Sequence, residues 1–293
     1  MKKLLIVILL FFSAGNMVLA EVTSKEKDAL LELYNSTNGL HWIKKWDLKT
    51  PVSQWHGIKV LNGHVVEINL FRNNLMGPLP ESLGNMEHLI SLNLAFNQIT
   101  GELPASLVKL TKLKTLKLEM NKLKGALPET MGDMGDLEEL TVFNNFLNGR
   151  IPASIGEIKN LKVLNLSSNN FRGRIPNSIG DLSKLESLGL FENSLFGSVP
   201  AELGKLDNLR ELVLANNQLD GEVPIELGQL ASLRILQIQN NKFDSFENLQ
   251  TMDAKQFLVF DYDKGNVKKD FKDINFSKTR MADTKFEDDV DNE

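Results

Sequence analysis

The sequence has 293 residues, of which 42% are apolar, 24% charged and 7% aromatic, a balance typical of a soluble protein with a large core. It contains no cysteine, which excludes a disulfide framework, thiolate metal sites and a cysteine nucleophile. The net charge of −5 leaves no basic surplus, which argues against a nucleic-acid partner bound through its phosphates.

The first 20 residues have the layout of a cleaved signal peptide. Lys2 and Lys3 precede a strongly apolar run from Leu4 to Phe12, and small residues follow up to Ala20. The run is much shorter than the ~20 residues that a membrane-spanning helix needs. We therefore expect cleavage near Ala20 and a mature protein that is secreted, periplasmic or at a cell surface. No later segment reaches the length of a span, so we expect no transmembrane segment in the mature chain.

Residues 21–64 are predicted to form an N-terminal cap that begins with a helix. Thr23 and Glu26 have the spacing of a capping box at a helix start. Large aromatic residues concentrated at one end suit a plug over the units that follow. All three tryptophans lie in this segment, at Trp42, Trp46 and Trp55.

Between residues 65 and 241 one pattern repeats every 24 residues. Each unit has an apolar residue at its first position, called position zero, and again at positions three and five, which predicts a short strand over positions three to five. Position eight is asparagine in all eight units, and its amide is expected to satisfy backbone groups at a turn. Eight units at a constant period predict a solenoid. The units begin at Val65, Leu89, Leu113, Leu137, Leu161, Leu185, Leu209 and Leu233.

Seven units continue with Gly-x-x-Pro, and six of these have a second glycine four residues after the proline, with Val108 in its place in the other. The full pattern, L-x-x-L-x-L-x-x-N-x-L-x-G-x-(I/L/V)-P, resembles the leucine-rich repeat of the plant-specific class, which occurs in receptor-like kinase ectodomains and secreted bacterial proteins. The resemblance implies an α/β-type repeat solenoid, a right-handed coil with a concave parallel β-sheet. It also implies short turns or 3-10 segments on the convex side, an N-terminal helical cap, and a further short strand or turn near Gly-x-x-Pro.

The segment Trp55–Ile58 is similar to the N-terminal cap of the same family, in which a cysteine pair usually flanks it. Ser53 and Val60 stand at those positions here. We therefore expect this cap to be held by packing alone.

The pattern breaks after Asn241, where Ser245 replaces the repeat glycine and a new apolar cluster begins. Residues 242–262 are predicted to be the C-terminal cap. From 263 to 293 the chain is highly charged, and residues 281–293 carry six acids and one base. We expect an acidic, disordered tail.

The sequence has no pattern that predicts catalysis. None of its four histidines has a metal-binding spacing, and it contains neither a G-x-S-x-G motif nor a phosphate-binding Gly-rich loop. We therefore expect a protein that is not an enzyme and has no cofactor and no metal site. Asn35, Asn165 and Asn275 match the glycosylation sequon, which matters only in a eukaryotic source.

A partner is expected on the concave face, where positions two, four, six and seven of each unit are predicted to point outward. Phenylalanine there has no role in the core, and aromatic anchors among charged groups suit a protein, peptide or glycan. In the alternative interpretation these rings pack on neighbouring side chains. The candidate ligand-binding residues are Phe71, Arg72, Phe96, Lys117, Glu119, Phe143, Phe191 and Glu192.

Together these features predict an exported, monomeric, non-catalytic recognition protein. Two alternatives stay open. One is an inhibitor of a secreted polysaccharide-degrading enzyme, and the other is an adhesion or structural element of a cell surface.

Overall fold

The computed structural model describes residues 22–252 and 256–263. The predicted signal peptide at 1–20 and the tail beyond residue 263 lie outside these residues. Within the described ranges, no helix is both long enough and apolar enough to span a membrane.

A long sheet of ten strands forms one face of the protein. Its first two strands are antiparallel, and every later strand pairs in parallel with the one 24 residues before it, so that Leu92 lies opposite Leu116 and Leu116 opposite Leu140. The repeat period therefore sets the register. The strands are Ile58–Leu61, His64–Asn69, Ser91–Asn93, Thr115–Lys117, Glu139–Thr141, Val163–Asn165, Ser187–Gly189, Glu211–Val213, Ile235–Gln237 and Val259–Asp261.

A second sheet contains eight parallel strands, and each strand follows the turn at position eight of its unit. The resemblance implied a strand or turn near Gly-x-x-Pro, and the structure has a strand there. The first glycine of the motif closes the strand in a left-handed conformation, as at Gly125 with φ 82°. The strands are Met76–Pro78, Gln98–Gly101, Lys122–Gly125, Phe146–Gly149, Asn170–Gly173, Ser194–Gly197, Gln218–Glu222 and Lys242–Ser245.

The rest of each unit is a short 3-10 helix, which in most units follows the proline and returns the chain to the long sheet. The predicted 3-10 segments are thereby confirmed. With two in the N-terminal cap, they are Gly39–His41, Val52–Gln54, Glu81–Asn85, Ala105–Lys109, Met131–Asp133, Ala153–Glu157, Asn177–Asp181, Ala201–Lys205, Ile225–Gln229 and Glu247–Thr251.

The core is one continuous column of apolar side chains that runs from Ala29 in the cap helix to Tyr262. Positions zero, three and five supply its inner layer, and Leu89, Leu92 and Leu94 are fully buried. Because each unit contacts only its neighbours, burial is complete only where both neighbours are present. Both ends of the column therefore need a cover.

The asparagines at position eight join consecutive units. The side-chain oxygen of Asn121 accepts a hydrogen bond from the backbone N–H of Ile99 in the preceding unit, at 3.0 Å. Its amide nitrogen donates to the carbonyls of Leu94, Leu118 and Glu119 at 3.0 to 3.2 Å. The predicted role in satisfying backbone groups is confirmed, and the bonds also reach across units. We call this series of side chains the asparagine ladder.

Each end of the asparagine ladder meets a different partner. Asn73 bonds to the backbone N–H and carbonyl of Lys44 in the cap, at 2.7 and 3.2 Å. At the other end, the Asp263 carboxylate accepts from the N–H groups of Asn240 and Asn241, at 2.9 and 3.4 Å. Asp263, the first residue of the predicted tail, thus bonds to the last repeat.

The N-terminal cap packs a helix, Ser24–Ser36, and an aromatic cluster over the first unit. The Thr23 side chain accepts from the Glu26 N–H at 3.3 Å, as a capping box requires. The three tryptophans are at most 4% exposed. Trp46 stacks on Trp55 at 4.7 Å and meets Trp42 edge-on at 4.8 Å. Each indole N–H donates to a backbone carbonyl, so burial leaves no indole nitrogen unpaired.

In five units the second glycine lies against the backbone of the next unit. A Cβ atom on Gly156 would lie 2.2 Å from the carbonyl oxygen of Ser178, far inside contact distance. Val108 occupies this position in one unit, and the helix of the following unit, Met131–Asp133, has three residues where most have five. Close stacking of the 3-10 helices therefore depends on glycine.

Trp55→Ala should destabilise the N-terminal cap. Removal of a fully packed indole leaves a cavity, so we expect a loss of about 3–5 kcal/mol in the free energy of unfolding, measured by urea denaturation. Leu40→Ala is the control, because Leu40 is 71% exposed in the same cap. Equal stability of the two variants would contradict this account of the cap.

Gly156→Ala should lower the free energy of unfolding by about 1–3 kcal/mol, because the new methyl group overlaps the next unit. Gly135→Ala is the matched control, since a Cβ atom there meets nothing within 4 Å. Thermal melting of both variants makes the comparison. If Gly156→Ala melts at the same temperature as Gly135→Ala, the units do not depend on glycine for their spacing.

Candidate ligand-binding face

The candidate residues lie along the long sheet, but the strands are shifted by one residue from the prediction. Each typical strand covers positions two to four, as in Glu139–Thr141, instead of three to five. Positions six and seven therefore follow the strand. Position five, Val142 in this unit, is buried like position three, and its N–H still donates to the carbonyl of Asn165 in the next unit, although it lies beyond the strand.

Exposure varies along the row at position six. Phe71 is 46% exposed, whereas Phe143 and Phe191 are partly buried. Ala95 and Ala215 at the same position are fully buried, so the expectation that position six is exposed is wrong for these two alanines, whereas Ser167 is partly exposed. Only the part of a longer side chain that extends beyond a methyl group reaches solvent.

Position seven has a left-handed backbone in every unit. The eight φ values lie between 48° and 58°. Such values suit asparagine, which occupies three of the eight positions, and cost other residues about 1–3 kcal/mol each. Three candidate residues stand at this position, namely Arg72, Phe96 and Glu192. The sequence pattern did not reveal this strain, because five of the eight residues there are not asparagine.

The N-terminal end of the face forms a groove of about 440 Å³. The Phe71 ring lies 5.2 Å from the Phe96 ring at a 59° tilt, so these two candidates contact each other as the alternative interpretation expects. Burial and the nearby Lys44 lower the pKa of His56. The lining residues are Lys44, His56, Gly57, Ile58, Lys59, Glu67, Asn69 and Phe71, most of which the candidate set omits.

The middle of the face carries a charged cluster. Lys117 pairs with Glu139 at 3.0 Å, and the Thr141 hydroxyl donates to the Glu119 carboxylate at 2.5 Å. Burial raises the pKa of Glu119, although the hydrogen bond from Thr141 and the charge of Lys117 oppose that shift. Glu139 and Thr141 were not predicted, since their partners stand 22 residues before them in the sequence and become neighbours only when units stack.

Phe143 and Phe191 stand at position six in units that are two apart. Their strands are two steps apart in the sheet, or about 10 Å. Ser167 stands at position six of the unit between them, and Gly189, in the strand before Phe191, lies so close to Asn165 that a Cβ atom there would be 2.8 Å from its side-chain oxygen. Small and polar groups therefore lie between the two phenylalanines.

Next to Phe191, Glu192 is exposed and accepts a hydrogen bond from the Ser168 hydroxyl at 2.8 Å. The structure thus divides the eight candidates into three groups along one face. Phe71, Arg72 and Phe96 lie at the N-terminal end, Lys117 and Glu119 follow them, and Phe143, Phe191 and Glu192 lie further along the sheet.

Family models match more than half of the chain. The model described as "Leucine Rich Repeat" matches residues 64–86 and 88–110, and the model described as "Leucine-rich repeat region" matches residues 145–255. The chain is a leucine-rich repeat protein. It is of the plant type, and its long sheet is the concave face of the solenoid. No curated protein sequence matches it significantly.

Solved structures of plant receptor ectodomains share this fold. The ectodomain of the Arabidopsis thaliana receptor kinase GASSHO1/SCHENGEN3, in complex with CASPARIAN STRIP INTEGRITY FACTOR 2, is 31% identical with a TM-score of 0.70, over 79% of this chain and 29% of that one. PEPR1 with AtPEP1 is 29% identical with a TM-score of 0.71, over 82% and 36%. Arabidopsis HAESA with the peptide hormone IDA and the co-receptor SERK1 is 27% identical with a TM-score of 0.71, over 82% and 41%. The leucine-rich repeat protein described here therefore spans well under half the length of these ectodomains.

Glu119→Gln should stabilise the protein at neutral pH. A raised pKa means that the folded state binds the proton more tightly than the unfolded state, so stability falls as the pH rises through the folded pKa. Because glutamine cannot ionise, the variant does not lose stability as the pH rises. We expect the variant to be more stable than the wild type at pH 7, with a difference that shrinks toward pH 4, in urea denaturation at both values.

Glu192→Gln serves as the control for this pH comparison, because its side chain is exposed on the same face. A difference between Glu119→Gln and the wild type that stays constant from pH 7 to pH 4 would show that burial of the Glu119 charge does not limit stability.

Proposed function

We propose that this leucine-rich repeat protein is an exported, non-catalytic recognition protein that binds an extended peptide, or an exposed loop of a protein, along its concave face. The observation that carries the proposal is the row of aromatic and charged side chains along this face, in which the partly buried Phe143 and Phe191 lie on either side of Ser167. Protein interfaces are enriched in such aromatic anchors, and charged groups around them set specificity.

The dimensions of the face fit an extended chain. Phe71 and Phe191 are five strand steps apart, which corresponds to roughly 24 Å. At about 3.3 Å per residue, this length matches about seven residues of an extended ligand. An apolar side chain of the ligand would pack against Phe143 and Phe191, while its backbone and polar groups would meet Ser167, Asn165 and the charged cluster around Lys117.

Rigidity of the face supports the same function. The asparagine ladder fixes the turn behind every outward residue, so that binding orders few groups in the protein itself. A rigid face that presents side chains is sufficient for binding, and no catalytic group is required. The candidate residues also include both signs of charge, which favours a ligand of mixed composition over a polyanion.

Two observations support a location outside the cytoplasm. The first 20 residues have the pattern of an export signal. Similar solved structures include a plant receptor-kinase ectodomain with CASPARIAN STRIP INTEGRITY FACTOR 2, PEPR1 with AtPEP1, and the receptor kinase HAESA with the peptide hormone IDA. A peptide ligand is the class that this likeness favours for the present chain.

The test begins with selection of peptides on the immobilised protein from a random library displayed on phage. The double variant Phe143→Ser/Phe191→Ser should bind the selected peptides at least about tenfold more weakly than the wild type, because the loss of two aromatic anchors costs 1 kcal/mol or more. Titration calorimetry measures the affinities.

The matched control is Phe146→Ser/Phe196→Ser, which removes two phenylalanines of the second sheet that are 60% and 49% exposed. It should leave the affinity unchanged. Equal weakening by both double variants, or none by the first when it is folded, would overturn the concave-face proposal. Inhibition of a secreted polysaccharide-degrading enzyme by the purified protein would favour the inhibitor alternative.

A further inference from the structure

Three side chains that can bind a metal ion converge at the joint between the cap and the first repeats. Glu26 comes from the cap helix, His64 begins the second strand of the long sheet, and His88 lies in the turn before the third. One ligand atom of each lies within 4.8 Å of the other two. The three residues come from three separate segments of the chain.

The repeat geometry brings the two histidines together. His64 and His88 each stand immediately before position zero of their unit, 24 residues apart, and their rings stack at 3.7 Å with 17° between the planes. In the next unit Lys112 occupies this position, and none of the later units has a histidine there. A histidine pair therefore exists only beside the cap helix.

The third group, the Glu26 carboxylate, is deeply buried. Glu26 is only 2% exposed. One of its oxygens lies 3.3 Å from His64 Nδ1, and the other accepts from the Thr23 hydroxyl at 3.1 Å. A buried carboxylate is costly unless it is paired or binds a metal. Of the two lysines adjacent to Glu26 in sequence, Lys25 and Lys27, Lys25 pairs with Glu87 at 3.0 Å.

We propose that Glu26, His64 and His88 form a binding site for a divalent transition-metal ion, with Zn²⁺ as its best fit. Two imidazole nitrogens and one carboxylate oxygen are ligands that Zn²⁺ accepts, and solvent completes the tetrahedral set because both histidines are partly exposed. Ligand atoms around tetrahedral zinc lie about 3.4 Å apart. Glu26 and His64 are already at 3.3 Å, and the most distant pair, within 4.8 Å, must approach by up to about 1.4 Å. Small rotations of the two histidine rings supply that movement.

The consequence of such a site is a cross-link between the cap helix and the first two units. The chain has no cysteine with which to join them. A bound ion would hold the helix, the strand His64–Asn69 and the turn at His88 in one cluster, and it would stabilise the folded state in proportion to its affinity. The role is structural and is independent of ligand binding on the concave face.

The test uses the purified protein without a polyhistidine tag, stripped with EDTA and dialysed. Titration calorimetry with ZnCl₂ should show one ion per chain, and the thermal midpoint should rise with Zn²⁺ but not with Mg²⁺, which prefers octahedral oxygen ligands. His88→Gln should weaken Zn²⁺ binding by at least about tenfold and remove the thermal shift, as loss of a ligand requires. Co²⁺ should give visible absorption bands typical of tetrahedral nitrogen and oxygen ligands.

His41→Gln is the control, because His41 is an exposed cap residue that contacts Asn38. It should bind Zn²⁺ as the wild type does. His64→Gln provides a second variant in case His88→Gln is unstable without metal. Absence of Zn²⁺ binding to the wild type, or binding that both ligand variants retain, would overturn the proposal.

Discussion

The asparagine ladder is the interaction on which the rest of the structure depends. Every unit must turn sharply after its strand, and the turn leaves backbone groups without partners in the sheet. One amide side chain, such as Asn121, satisfies an N–H of the preceding unit and three carbonyls. Because this side chain must reach the same groups in each unit, the units cannot slide, and the 24-residue period fixes both sheets at once.

The ladder also determines which residues the concave face can display. A chain that places position eight inside must pass through a left-handed conformation at position seven, whatever residue stands there. Arg72, Phe96 and Glu192 accept that conformation at a cost in stability. Asparagine would be the better residue for the backbone alone. The presence of charged and aromatic side chains at position seven, where they cost stability, agrees with the use of this surface for recognition.

The sequence predicted the contents of each unit well, because those contents follow from spacing along the chain. Period, core positions and the turn asparagine were evident from the spacing, whereas the short turns or 3-10 segments were implied by the resemblance to the repeat family. Contacts between units were not, since Lys117 with Glu139 and His64 with His88 become neighbours only through stacking. The strand shift has a similar cause. Alternation of apolar residues marks which side chains point inward, whereas the hydrogen bonds that define a strand depend on the adjacent unit.

The last strand of the long sheet shows how growth of such a stack can be stopped. In the inner units the N–H of position seven donates to a main-chain carbonyl of the next unit, but Asn240 donates to the Asp263 side chain. Asp263 stands at position six, where the inner units supply a main-chain carbonyl to the same N–H. A carboxylate only accepts hydrogen bonds and carries charge. The series of main-chain bonds along this sheet therefore ends on a charged side chain, and charge at a sheet edge disfavours pairing with a second chain.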